Sequence, residues 1–164
     1  MAHPRVEQLR FTRKEWIRAL KPVTAAEARR HFEPMNCISW MIGHLAWQEQ
    51  RYWLERAQGR TVVPELKRYG FGAEMSTPPL AESWAAWRTV TRAADPFLDT
   101  LTSALLKKPY RAEPNPETVG TQMLRMTYHY WYHLGEAMAV RQLLGHRVPV
   151  FVGNINKAPY RPET

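Results

Sequence analysis

Apolar residues recur along this chain at helical spacing, and no segment alternates apolar and polar positions as a half-buried strand would. Val6, Leu9, Ile17 and Leu20, with Trp16 alongside, predict a helix from Arg5 to about Leu20, bounded by Pro4 and Pro22. Thr24-Ala25-Ala26-Glu27 reads as a capping box, a threonine N-cap with glutamate three residues on, opening a short helical piece that ends before Pro34. Ile38, Met41, Ile42, Leu45 and Glu49 share the helical period, and Trp40, Trp47, Tyr52, Trp53 and Leu54 widen their surface. They predict a second long helix from Asn36 or Cys37 to Gly59, a good C′ glycine. Leu80, Trp84, Trp87, Val90, Phe97, Leu98, Leu101 and Leu105 predict a third helix over 80–106, kinked or restarted at Pro96 with Asp95 as cap. A stripe of Val119, Met123, Met126, Tyr130, His133, Ala137, Val140 and Leu144 predicts a last helix from about Thr118 to Leu144, closing on Gly145.

Proline placement agrees with this division. The two long proline-free windows, 35–63 and 117–148, hold the second and last helices, and proline is excluded from helix interiors. Residues 60–79 read as a long ordered loop of the kind that can cover a site, and KKPYRAEPNPE (107–117) as a second loop. The tail, 147–164, is apolar first, through Val148, Val150, Phe151 and Val152, and that part is expected to pack on the rest. The expectation is an all-α fold, most simply a four-helix bundle with long crossover loops. At 164 residues it is read as one domain, with its core at about 5–146.

Charge and cysteine usage narrow the function. The net charge of +8 raises nucleic acid as a partner, but basic residues are scattered among acids, as in FTRKEWIRALK and EARRHFE. No zinc-finger spacing or aromatic RNA-binding signature is present, so a solvated surface is the reading and nucleic acid is not expected. No apolar run is long enough for a membrane span, and the first thirty residues carry charges throughout and lack the apolar core of a signal peptide, so export is not expected. One cysteine, Cys37, rules out an internal disulfide, suits a reducing cytoplasm and reads as a small buried apolar residue.

The candidate chemistry lies in MTYHYWYHLGE (126–136). His129 and His133 stand four residues apart, about 40° around a helix axis and about 6 Å along it, so both imidazoles can aim at one point. The pair alone fits two metal ligands, or two core imidazoles satisfied by a hydroxyl or carbonyl. His133 lies on the apolar stripe, where an uncompensated imidazole is costly. His44, in WMIGHLAWQ, occupies the other long proline-free helix, and facing helices of a bundle can bring a third ligand to the same point. Three histidines would leave coordination positions open, as catalytic sites do. Helical spacing nominates Glu136, Gln48 and Arg51 around them. Glu136 is a candidate fourth ligand, imidazole-orienting group or base, or else the partner of an arginine. His3, His31 and His146 fall near predicted termini or loops and are read as surface residues. The seven tryptophans are mostly core candidates, although some could line a ligand pocket.

Two segments carry a family resemblance. NCISWMIGHLAWQEQRYW (36–53) resembles the second helix of the DinB-like (DinB/YfiT) superfamily, and TVGTQMLRMTYHYWYHLGEAMAVRQLLGH (118–146) resembles its last bundle helix. TAAEARRHFEP and LDTLTSALL fit the intervening pattern. The resemblance implies a four-helix bundle holding a divalent metal, Zn²⁺, Ni²⁺ or Fe²⁺, through His44, His129 and His133. Some relatives are similar to enzymes that use a low-molecular-weight thiol as cosubstrate, and homodimers are common. One departure stands out: Leu134-Gly135-Glu136 replaces the commoner Arg-Gly-Gln, which leaves the thiol and the substrate open. The leading expectation is a metal-dependent thiol S-transferase acting on a small molecule. The rivals are a metal or small-ligand binding bundle without activity, a metal-dependent hydrolase using an activated water with Glu136 as base, and an interaction module with structural histidines.

Overall fold

The computed structural model describes residues 2–110 and 117–162. Among these residues six α-helices occur in the order α1 (Pro4–Leu20), α2 (Ala25–Ala28), α3 (Ile38–Gln50), α4 (Leu80–Leu98), α5 (Ser103–Leu106) and α6 (Val119–Leu143). The four long ones, α1, α3, α4 and α6, form an all-α bundle: α3 packs on α4 and α6, and α6 packs on α1. Among the described residues, β-pairing is confined to two isolated bridges, Phe32 with Met35 and Pro109 with Thr118.

The helix ends follow their local chemistry. Pro4 opens α1, and His3 Nδ1 accepts from Arg5 N at 3.2 Å. The capping box at α2 forms in both directions: Thr24 Oγ1 accepts from Glu27 N, and Glu27 Oε2 accepts from Thr24 N at 2.8 Å. α3 passes directly into a π-helical turn, Arg51–Arg56. The chain then leaves the helix at Gly59 (φ 64°), and α6 leaves at Gly145 (φ 83°), left-handed conformations that glycine adopts without a Cβ penalty.

The buried faces of α3 and α6 match the expected stripes; in the third predicted helix Trp87, Val90 and Leu98 are buried but Leu105 is 39% exposed, and α1 differs as well. Ile38, Met41, Ile42, Leu45 and Glu49 of α3 are all fully buried, and so are Met123, Met126, Tyr130 and Ala137 of α6. In α1 the buried stripe is Val6, Leu9, Arg13, Trp16 and Leu20, while Ile17 is 44% exposed. Steps of three and four residues from Val6 pass through Arg13, and Ile17 lies about 100° around the axis from Trp16.

A buried polar network explains the arginine. Arg13 grips Glu49 of α3 with two bonds, Nε to Oε1 at 2.7 Å and Nη2 to Oε2 at 2.6 Å. Its Nη1 donates to Asp95 of α4 at 2.9 Å. The Tyr130 hydroxyl of α6 donates to Glu49 at 2.9 Å and accepts from Trp87 Nε1 of α4 at 2.7 Å. All four long helices therefore meet in one hydrogen-bonded cluster. Burial opposes the Arg13 charge, but the Glu49 carboxylate outweighs it and holds the guanidinium protonated.

The third predicted helix is corrected. α4 carries Pro96 in its last turn and stops at Leu98, and a separate α5 begins under a Thr102 cap that accepts from Leu105 N. Asp95 caps nothing and instead takes Arg10 and Arg13. The missing N–H of Pro96 weakens the final turn, and Thr102 offers a better helix start four residues beyond Leu98. The loop at 60–79 contains a 3₁₀ helix, Pro64–Tyr69. Most of the other predicted loop lies at 111–116, outside the described residues. The tail is tied down by backbone bonds, Gly153 N to Glu15 Oε2 at 2.8 Å and Arg18 Nη2 to Val150 O at 2.9 Å. Val148 and Val152 are half-buried while Val150 and Phe151 remain 74% and 79% exposed, so the apolar part of the tail packs only in part.

Candidate metal centre

α3 and α6 bring His44, His129 and His133 to one point. The Nε2 atoms of His44 and His129 are 3.2 Å apart and those of His133 and His129 are 3.0 Å apart. One ring nitrogen from each of the three lies within 4.8 Å of the other two. Ligands at about 2.0–2.1 Å from a shared ion stand roughly 2.9–3.4 Å apart in octahedral or tetrahedral geometry, so the two Nε2 contacts match that span.

The remaining ring nitrogens settle the tautomers. His44 Nδ1 lies 2.6 Å from the Tyr69 carbonyl oxygen, which only accepts, so Nδ1 carries the proton. His133 Nδ1 lies 2.7 Å from Glu136 Oε2, so it donates as well. Both rings then present an Nε2 lone pair inward. A single proton on His129 Nε2 can serve one of them well; a cation serves all three. Burial, opposed by the Tyr69 carbonyl and helped by nearby His133, lowers the His44 pKa to about 4. Burial, with His133 and His44 close by, lowers that of His129 to about 3. Both are neutral at pH 7, the form in which imidazole is a ligand.

Several supports could not be read from spacing. The loop at 60–79 supplies the Tyr69 carbonyl itself. Gln50 pins the start of that loop to α3, its Oε1 accepting from Val62 N and Val63 N and its Nε2 donating to Val63 O. The Tyr69 ring then lies flat against Gly43, where an added Cβ would stand 2.8 Å from Cδ2. The glycine beside His44 is thus a packing requirement, and that adjacency was the available signal. The His44 ring stacks on Trp40 (centroids 4.8 Å apart) and on Trp47 (5.4 Å). Glu136, besides bonding His133, accepts from Asn36 N at the entry to α3, and among the described residues it forms no ion pair with an arginine. Gln48 lies in the wall next to His44. Arg51 stacks over Trp47 at 5.3 Å and is not brought to the histidines.

His3, His31 and His146 stay away from this cluster. His146 is half-buried and bridges to Glu27 at 2.9 Å, and His3 reaches Ser103 Oγ at 3.1 Å, so both tie elements together rather than standing free on the surface.

Two open spaces meet at the triad. A smaller one of about 370 Å³ is bounded by Asn36, Trp40, Gly72, Ala73 and Glu136. A larger one of about 620 Å³ runs past Gln48, Thr121, Leu124, Arg125 and Tyr128. His44, Phe71, His129 and Tyr132 border both.

A family model for the DinB superfamily matches residues 8–137, which include the whole triad. The chain belongs to the DinB superfamily. A crystal structure of a conserved protein from Enterococcus faecalis has the same fold, with a TM-score of 0.60 at 15% identity, over 87% of this chain and 96% of that one. No curated protein matches the chain. Among the described residues, no helix of this DinB superfamily member is long and apolar enough to cross a membrane.

Proposed function

We propose that this DinB superfamily protein binds a divalent metal, Zn²⁺, Ni²⁺ or Fe²⁺, through His44, His129 and His133, and transfers a low-molecular-weight thiol to a small electrophile. The observation that carries the reading is the convergence of three imidazoles, two of them with Nδ1 bonded elsewhere and Nε2 turned inward. Imidazole ligands suit all three metals, so the donor set does not choose among them. A divalent cation in such a site supplies Lewis acidity, which favours the anionic form of a thiol at neutral pH.

The chain's own groups do the rest. The Tyr69 carbonyl and the Glu136 carboxylate hold the protons on His44 Nδ1 and His133 Nδ1, which keeps both Nε2 atoms free to coordinate. Two spaces on one centre suit a reaction between two molecules, and the more polar, smaller one suits the thiol. Glu136 accepts from Asn36 N and His133 Nδ1, so its carboxylate serves to orient His133. The lone buried Cys37 supports a reducing cytoplasm. Exposed Val150 and Phe151, beside an apolar hollow against Trp131 and Met138, support a homodimer.

Tag-free protein should carry close to one metal ion per chain by elemental analysis, and His129→Ala or His44→Ala should abolish it while the helical circular dichroism remains. The loaded protein should conjugate a thiol to monochlorobimane. Apo protein that refuses Zn²⁺, Ni²⁺ and Fe²⁺ at neutral pH would falsify the metal reading. Bound metal without thiol transfer would leave a binding bundle.

A further inference from the structure

We propose that the larger space binds an elongated molecule with an aromatic body, laid along α6 with its polar end toward the histidines; this substrate class rests on the triad being the reaction centre. Thr121, Arg125, Tyr128 and Tyr132 recur every three or four residues and, with Leu124 next to Arg125, form one wall. From 121 to 132 that wall is about 16 Å long at 1.5 Å per residue, so the occupant is long rather than round. Its 620 Å³ lies in the range of drug-sized ligand sites.

The lining states the chemistry. Tyr128 is 64% exposed, Tyr132 71% and Phe71 93%, three aromatic side chains around one opening. Rigid aromatic rings give large contact area for little lost side-chain freedom, and they stack best on another ring. Among the described residues no acidic side chain borders the space, and Arg125 is the one lysine or arginine in its lining, so an uncharged or anionic occupant is favoured over a cationic one. Glu117 pairs with Arg125 from outside that lining and tempers its charge. The smaller space, with Glu136 and Asn36 beside Trp40, is more polar. The space also ends on His44 and His129, which a docking groove for a protein would have no reason to do.

Biphenyl-4-carboxylate is a suitable probe, compared with acetate by calorimetric titration and by saturation transfer from protein to ligand protons. Zinc-loaded and zinc-free protein should both bind the biphenyl compound at least tenfold more tightly than acetate. Leu124→Asp, which sets a carboxylate in the apolar wall, should lower that affinity at least tenfold with zinc content unchanged, and Tyr128→Ala should weaken it several-fold. Tyr160→Ala, an exposed ring in the tail, should change nothing. Equal binding of the two acids, or biphenyl binding untouched by Leu124→Asp and Tyr128→Ala, overturns the proposal. Displacement of the biphenyl compound by an apolar tetrapeptide at lower concentration reassigns the groove to peptides and overturns it too. If wild-type protein takes no metal yet holds the biphenyl compound in a Leu124-dependent way, the triad reading fails while the groove assignment stands.

Discussion

His44 illustrates how much of an imidazole's behaviour is set by its neighbours. Its Nδ1 proton is held by a backbone carbonyl twenty-five residues away, and that carbonyl is held by a ring resting on Gly43. A methyl group at position 43 would meet Tyr69 Cδ2 at 2.8 Å, and the buried ring has little room to yield. We therefore expect Gly43→Ala to displace the Tyr69 carbonyl and reduce zinc affinity about 10- to 100-fold, the usual effect of losing an outer hydrogen bond to a metal-binding histidine. Competition with a chromogenic chelator measures it. Affinity within twofold of wild type would mean that the carbonyl does not orient His44.

At the scale of the element, a helix is decided by its stripe and its ends, and α1 shows how a stripe can be misjudged. Reading apolar residues alone selects Ile17, yet the helical period runs through Arg13. The two outcomes differ in energy. Ile17→Gln, on a half-open face, should change stability by less than about 0.5 kcal/mol, whereas Leu9→Ala in the core should cost about 2–5 kcal/mol. Urea unfolding of both variants tests the assignment. The break between α4 and α5 has a similar lesson: the apolar period continues through Leu101 and Leu105, but Pro96 and the Thr102 cap decide where hydrogen bonding stops and restarts.

At the scale of the molecule, the bundle is joined through buried charge as well as apolar contact. Arg13, Glu49, Asp95, Trp87 and Tyr130 link its four long helices, and Glu49 is fully buried. Removing one member strands another without its partner. Glu49→Ala should cost about 3–5 kcal/mol by chemical denaturation, because it leaves the Arg13 guanidinium buried with only the half-exposed Asp95. The pair Arg13→Met with Glu49→Leu should recover part of that loss, and not all of it, since the Tyr130 hydroxyl still lacks its acceptor. A single Glu49→Ala variant as stable as wild type would show the network to be dispensable.

Local rules determined the helices and most of their ends. The periods at 38–49 and 119–140, the Thr24 box and the two C′ glycines depend on residues within a few positions of one another, so they are legible in one dimension. The i, i+4 pairing of His129 and His133 is equally local, and the bundle logic that set His44 opposite them required only that α3 and α6 pack together. What required the tertiary structure were the partners drawn from far along the chain: the Tyr69 carbonyl against His44, Asn36 N against Glu136, Arg13 against Glu49 and Asp95. Those contacts exist because burial leaves a polar group with few places to find a hydrogen bond, and which groups are buried together is a property of the packed molecule.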